Sequence, residues 1–230
     1  IREAENVVAN CDATTLYSEM ISDRAGKSEK RKLAKADPSF AGFSLLLGLR
    51  KTDVKLAHHT VLFPRDYDQE FLDLFNHKRL CTDPTIYICA PSDSSMAPDD
   101  EHEGYSVLVN APRQGDVDWR DQDMARSYGE KIITTMESRG IPIRNRLVLQ
   151  EIRTPLDLQN STLAPGGSIY GTSSNGARSA FTRAKNRSPI KGLYLVGGSA
   201  HPGGGLPLVG LSAEMVAEAI GSRTGRPKGH

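Results

Sequence analysis

The stretch that most limits what this chain can fold into lies near its end. Leu193-Tyr194-Leu195-Val196-Gly197 is a short apolar run of the kind buried in parallel sheets. It leads directly into Gly198-Ser199-Ala200-His201-Pro202-Gly203-Gly204-Gly205, and then into an apolar segment from about Pro207 to Ile220 that opens on proline. The order is strand, glycine-rich turn, helix. Five glycines between Gly197 and Gly205 remove side chains where backbone must come close to something. A helix N-terminus adds free N–H groups and a positive partial charge. Together they predict a place for an anionic or electron-rich ligand. Within the helix, Gly210, Ala213 and Ala217 lie three and four apart and predict a flat face for a sheet or cofactor, with Glu214 and Glu218 towards solvent.

The segment alone leaves the ligand open, but it excludes several chemistries. No GxGxxG follows a strand anywhere in the sequence, so the standard dinucleotide fingerprint is missing. Gly205–Ser212, GLPLVGLS, matches a phosphate loop at both glycines and the final serine, yet Leu211 stands where that loop requires lysine. Ser199 has the setting of a nucleophile elbow, except that His201 occupies the position of the second glycine. A close-packed βα connection without any ligand is the plain structural alternative.

Elsewhere, strand-length apolar runs bounded by turn residues occur at Phe43–Leu49, His59–Phe63, Thr85–Ala90, Tyr105–Val109 and Arg146–Ile152. Asp66 followed by Gln69 resembles a capping box ahead of Phe71, Leu74 and Phe75, predicting a short amphipathic helix. A longer helix is predicted over Asp118–Arg139, where Met124, Tyr128, Ile132 and Met136 recur every fourth residue beside Ala125 and Ile133, and Gly140 supplies the stop. The basic stretch Lys27–Lys35 reads as a helix with a solvated face. Of His58 and His59, one is expected in the core and one exposed. Strands and helices without strict alternation predict an α/β or α+β mixture with a mixed sheet. Three blocks are expected: residues 1–20 and 155–221 as parts of a nucleotide-binding unit, and residues 21–154 as a separate sheet layer, followed by a disordered tail at 222–230.

The 29 Lys and Arg balance 28 Asp and Glu, so the chain lacks the global field of a nucleic-acid binder. Cys11, Cys81 and Cys89 are odd in number and lack metal-ligand spacing, which favours a reducing, cytoplasmic setting. No apolar run approaches the roughly 20 residues of a membrane span. The chain begins with Ile1, and Val7-Val8-Ala9-Asn10 already reads as a strand end, which suggests a fragment or processed chain; a trimmed N-terminus on a complete domain is the alternative.

Several passages then agree with one family. Gly166-Gly167-Ser168-Ile169-Tyr170-Gly171, Ser173-Ser174-Asn175, Ala180-Phe181-Thr182-Arg183, Asn186-Arg187-Ser188 and the closing GLYLVGGSAHPGGGLPLVGLSAE resemble the C-terminal region of phytoene-desaturase-type flavoproteins, within the amine-oxidase-like superfamily. Val7–Asp12 resembles that family's strand exit, with Cys11 in place of alanine, and Gly42–Leu49, His58-His59, Glu70-Phe71, Asp83-Pro84 and Ala97-Pro98 follow in familiar order. The resemblance covers nearly the whole chain apart from the tail.

It implies a Rossmann-like FAD domain, present here only in part, and a mixed-sheet substrate domain. The implied reaction desaturates or oxidises a carotenoid polyene by hydride transfer to flavin, with peripheral membrane contact. By resemblance, Gly197, Gly198 and Ser199 lie near the cofactor's pyrophosphate and ribityl chain. Gly205, Leu206, Pro207 and Leu208 begin the helix that faces the flavin pyrimidine. His201, the one titratable residue inside the turn, is the candidate proton acceptor, with a structural role as its alternative. The G-G-G form of the turn is similar to the diapocarotenoid and hydroxycarotenoid branches. Related saturases or isomerases, and a non-catalytic binding or assembly piece, are the competing functions.

Overall fold

A computed structural model describes residues 3–22, 24–173 and 183–223. In chain order its elements are β1 (Val7–Ala9), α1 (Ala13–Thr15, continued by a wider turn over Leu16–Met20), α2 (Lys27–Leu33), β2 (Ala41–Arg50), β3 (His59–Leu62) and α3 (Tyr67–Phe71, continued over Leu72–His77). Then follow β4 (Ile86–Cys89), β5 (His102–Ala111), α4 (Gln122–Ser138), β6 (Leu147–Arg153), α5 (Pro155–Thr162), β7 (Leu193–Leu195) and α6 (Leu206–Arg223). The mixture of helices with parallel and antiparallel strands is the expected α/β class. The chain divides into two units, residues 1–39 with 159–230, and residues 40–158.

The second unit is an antiparallel five-stranded sheet in the order β3-β4-β5-β2-β6. Alternation decides its faces. Phe43, Leu45, Leu47 and Leu49 of β2 point to the buried side, where register sets Phe43 beside Val109 and Leu45 beside Val107 and Ile152. Ile86 and Ile88 extend this layer, and Ala125, Tyr128, Ile132, Ile133 and Met136 of α4 complete the core. Burying each large apolar side chain contributes about 1.5–3 kcal/mol. Gly129 allows the close approach: a Cβ there would stand 3.3 Å from both Leu45 and Ile152 methyl carbons. The opposite face carries Tyr87, Leu46 and Leu108 half-buried and Val61 and Leu149 exposed.

The long helix starts at Gln122 rather than Asp118. Asp121 caps it, accepting from Asp123 N and Met124 N at 3.0 Å each, while Asp118 turns to Arg120. Trp119, fully buried with its ring centroid 5.4 Å from Phe43, must leave the helical path to reach the core. At the other end Gly140 stops the helix as expected, with φ +84° and Ile141 N donating to Met136 O. At α3, Asp66 accepts from Gln69 N, but the Gln69 amide donates onward to Asp73 instead of closing a capping box.

In the first unit β1 and β7 pair in parallel, Val7 to Leu193 through Ala9 to Leu195. A small core of Ala13, Leu16, Tyr17, Leu33, Ala184, Leu193, Leu195 and Ala200 packs beneath them. Leu33 belongs to α2, so residues 21–39 group with this unit, and the second begins at Phe40 instead of residue 21. Helix α6 runs through Arg223, past the expected tail boundary at 222; residues 224–230 lie outside the described residues. No described helix is long and apolar enough to cross a membrane.

Candidate functional site

The glycine turn grows out of the β1/β7 pair. Val196 N donates to Ala9 O at 3.0 Å, carrying the pairing one step past the strands. There Gly197 turns with φ +106°, and a Cβ on it would stand 2.4 Å from Asn10 Oδ1, so only glycine fits against the exit of β1. Asp12 then caps α1, accepting from Thr14 N at 2.8 Å and Thr15 N at 3.3 Å. Ser199 Oγ accepts from Ala13 N at 3.0 Å. The strand exit and the glycine turn, far apart in sequence, therefore share one hydrogen-bonded corner. Burial pushes the Asp12 carboxyl above the ordinary aspartate range, against the lowering effect of its cap bonds.

Two side chains set the shape of the turn. Arg183, buried, donates from Nη1 to the carbonyls of Tyr170 at 2.9 Å and Gly198 at 2.8 Å. Burial pulls its guanidinium below the usual arginine range. Asn186 Nδ2 reaches Leu195 O at 3.1 Å, His201 O at 2.8 Å and the fully buried Ser212 Oγ at 2.9 Å, while Asn186 O accepts from Leu195 N. Tyr170 lies against Gly204, where a Cβ would stand 2.3 Å from its ring.

The expected site residues come together on this frame. Gly197, Gly198 and Ser199 form the pinned part of the turn. Gly205, Leu206, Pro207 and Leu208 open α6 at its exposed N-terminus, where Gly205 has φ +97° and space around it, and Leu206 is 88% exposed. His201 is held by its backbone, its N–H donating to Ala184 O at 2.9 Å, and its imidazole is exposed. The flat face expected at Gly210, Ala213 and Ala217 is instead exposed. The packed face is Ser212, Val216 and Ala219, against Tyr194. Ser174-Asn175 and Ala180-Phe181-Thr182 lie outside the described residues.

The residues present suit a polar ligand with a long backbone-contacting part. Among the described residues, Thr172 Oγ1 is buried without a hydrogen-bond partner, next to Gly171, whose Cβ would meet Ser199 at 2.8 Å. Side-chain-free backbone at Gly197 and Gly198 and the exposed N-terminus of α6 are the features here that an anionic group can bind. Arg183 and Asn186 were not singled out as site residues from sequence; they stood only within the runs Ala180-Phe181-Thr182-Arg183 and Asn186-Arg187-Ser188.

A crystal structure of an oxidoreductase from Methanosarcina mazei superposes on the chain with a TM-score of 0.56 at 19% identity, covering 95% of this chain and 44% of that one. This likeness defines the fold. Among curated proteins, the chain is 32% identical over 219 residues to the hydroxyneurosporene desaturase of Rubrivivax gelatinosus, covering 94% of this chain and 41% of the relative. It is 33% identical over 225 residues to the 4,4'-diapolycopene oxygenase of a Methylomonas species, covering 94% and 44%, and 31% identical over 223 residues to the 1-hydroxycarotenoid 3,4-desaturase of a Flavobacterium, covering 95% and 44%. No family model matches. The chain is thus similar to carotenoid desaturases and oxygenases, and spans about two-fifths of the length of the curated relatives it matches.

Proposed function

We propose that this chain forms one side of an FAD site, together with a substrate sheet, in an oxidoreductase that desaturates or oxidises a carotenoid polyene. The observation that carries the reading is the corner where Gly197–Ser199 is pinned against the exit of β1 and leads into the open N-terminus of α6. Bound FAD would supply the acceptor for the hydride removed from the polyene. Gly197 and Gly198 leave backbone bare for the pyrophosphate, and Ser199 sits beside them. Gly205, Leu206, Pro207 and Leu208 would hold the flavin at the positive end of α6, which favours the negative charge that a flavin gains on reduction. His201, exposed within the turn, takes the proton that leaves with the hydride. Arg183 and Asn186 position the turn and touch no reacting atom.

The substrate falls to the sheet of residues 40–158, whose uncovered face presents Leu46, Leu108, Val61 and Leu149. These side chains form an apolar strip beside the Glu151–Arg153 ion pair, and such a strip suits a long conjugated hydrocarbon. Such a polyene partitions into lipid, so the reading includes peripheral contact with a membrane surface in a reducing, cytoplasmic setting. The test is a host that accumulates a carotenoid with saturated positions. Expressing the full-length protein should move carotenoid absorption to longer wavelength, as conjugation lengthens. An unchanged spectrum across precursors of different saturation would sink the reading.

A further inference from the structure

We infer that His58, His59 and Cys89 form a metal site at the edge of the five-stranded sheet, selective for a borderline-soft divalent cation of the Zn2+ class. The three side chains offer ligand atoms that all lie within 4.8 Å of one another. Bonds of about 2.0–2.1 Å to nitrogen and 2.3 Å to sulfur need donors separated by roughly 3.5 Å, so small side-chain rotations close the shell.

Register creates the cluster. His59 stands directly opposite Cys89 across the antiparallel β3/β4 pair. Ala90 N donates to His58 O at 2.8 Å, making His58/Ala90 the hydrogen-bonded pair and His59/Cys89 the adjoining pair without ladder bonds, where side chains stand closest. His58, one residue before the strand, brings its ring centroid to 4.5 Å from that of His59. Tyr87, on the same face as His59 and Cys89, places its phenol oxygen 2.8 Å from His59 Nδ1, the kind of neighbour that fixes the orientation of a ligating imidazole.

The donor set selects the ion. Two imidazoles and a thiolate favour Zn2+ over Mg2+ or Ca2+, which take oxygen. His59 is exposed and His58 and Cys89 half-buried, so the ion can enter from solvent and keep water in a fourth position. Binding releases the thiol proton and leaves both histidines neutral, so affinity rises with pH. The site would clip β3, the sheet's edge strand, to β4 across the segment that carries α3. It makes no use of the glycine turn and stands or falls independently of the proposed flavin reaction.

Untagged full-length protein, freed of metal, is titrated with Zn2+ in competition with a chromogenic chelator, and separately with Co2+ followed by near-ultraviolet absorbance. One equivalent of Zn2+ should bind, and Co2+ should give a thiolate charge-transfer band. Cys89→Ser should abolish that band, Cys89→Ser and His59→Gln should each weaken Zn2+ binding at least tenfold, and His102→Gln should bind as wild type does. Zn2+ should raise the thermal midpoint of the wild type and not of Cys89→Ser, whose far-ultraviolet dichroism reports its fold. Absence of stoichiometric binding, or a folded Cys89→Ser or His59→Gln that binds like wild type, overturns the site.

Discussion

Gly197 and Gly205 both have positive φ, +106° and +97°, but only Gly197 is also crowded. Alanine at either position incurs backbone strain of about 1–3 kcal/mol. At Gly197 the new Cβ must also displace Asn10, 2.4 Å away, whereas at Gly205 no atom lies within 4 Å. Denaturant unfolding should therefore rank Gly197→Ala below Gly205→Ala, and equal losses would show that the Asn10 contact is not real. His201 has a different signature. His201→Gln should lower kcat by roughly 10²–10⁴-fold if its imidazole takes the proton, with flavin content unchanged; a normal rate assigns it to structure. At this scale the sequence was only partly readable. The glycines stood out by density, but Arg183 acts on carbonyls at Tyr170 and Gly198, and nothing local to Arg183 announces those partners.

Helix α4 shows the same limit for a whole element. Its apolar period located it, yet Asp118 and Asp121 are competing caps, and burial of Trp119 between them decided for Asp121. Helix α6 presents two faces, each built from residues three and four apart. Gly210, Ala213 and Ala217 looked packable, but Asn186 satisfies Ser212 inside while the small residues stay outside. Strands β2, β5 and β6 were legible because alternation and bounding turns are local properties, whereas the pairing of His59 with Cys89 exists only in the register. One element-scale consequence is testable. Tyr128 lies in the α4 core with its hydroxyl buried and without a partner among the described residues, and burial drives its pKa far up. Tyr128→Phe should be neutral or stabilising by up to about 1–2 kcal/mol in chemical denaturation; a clear loss would reveal a hydrogen bond that the structure lacks.

For the molecule as a whole, acid is the sensitive variable of the second unit. Asp73 is buried, which by itself raises its pKa, but hydrogen bonds from His77, Gln69 and Arg79 outweigh that and hold its carboxyl below the ordinary range. A depressed folded-state pKa stabilises above the unfolded value, near 3.9, and that contribution fades as pH falls through the lower folded value. Thermal midpoints should therefore drop below about pH 4, and Asp73→Asn should be less stable at neutral pH with a flatter acid limb. Equal acid limbs would remove Asp73 from the account. The central claim is that the pinned corner at Gly197–Ser199 and the N-terminus of α6 hold FAD. The full-length protein, titrated with FAD and followed by flavin absorbance and fluorescence, should bind one equivalent, with Arg183→Ala weakening it as the turn loosens; no flavin bound by a folded wild-type protein would contradict the account.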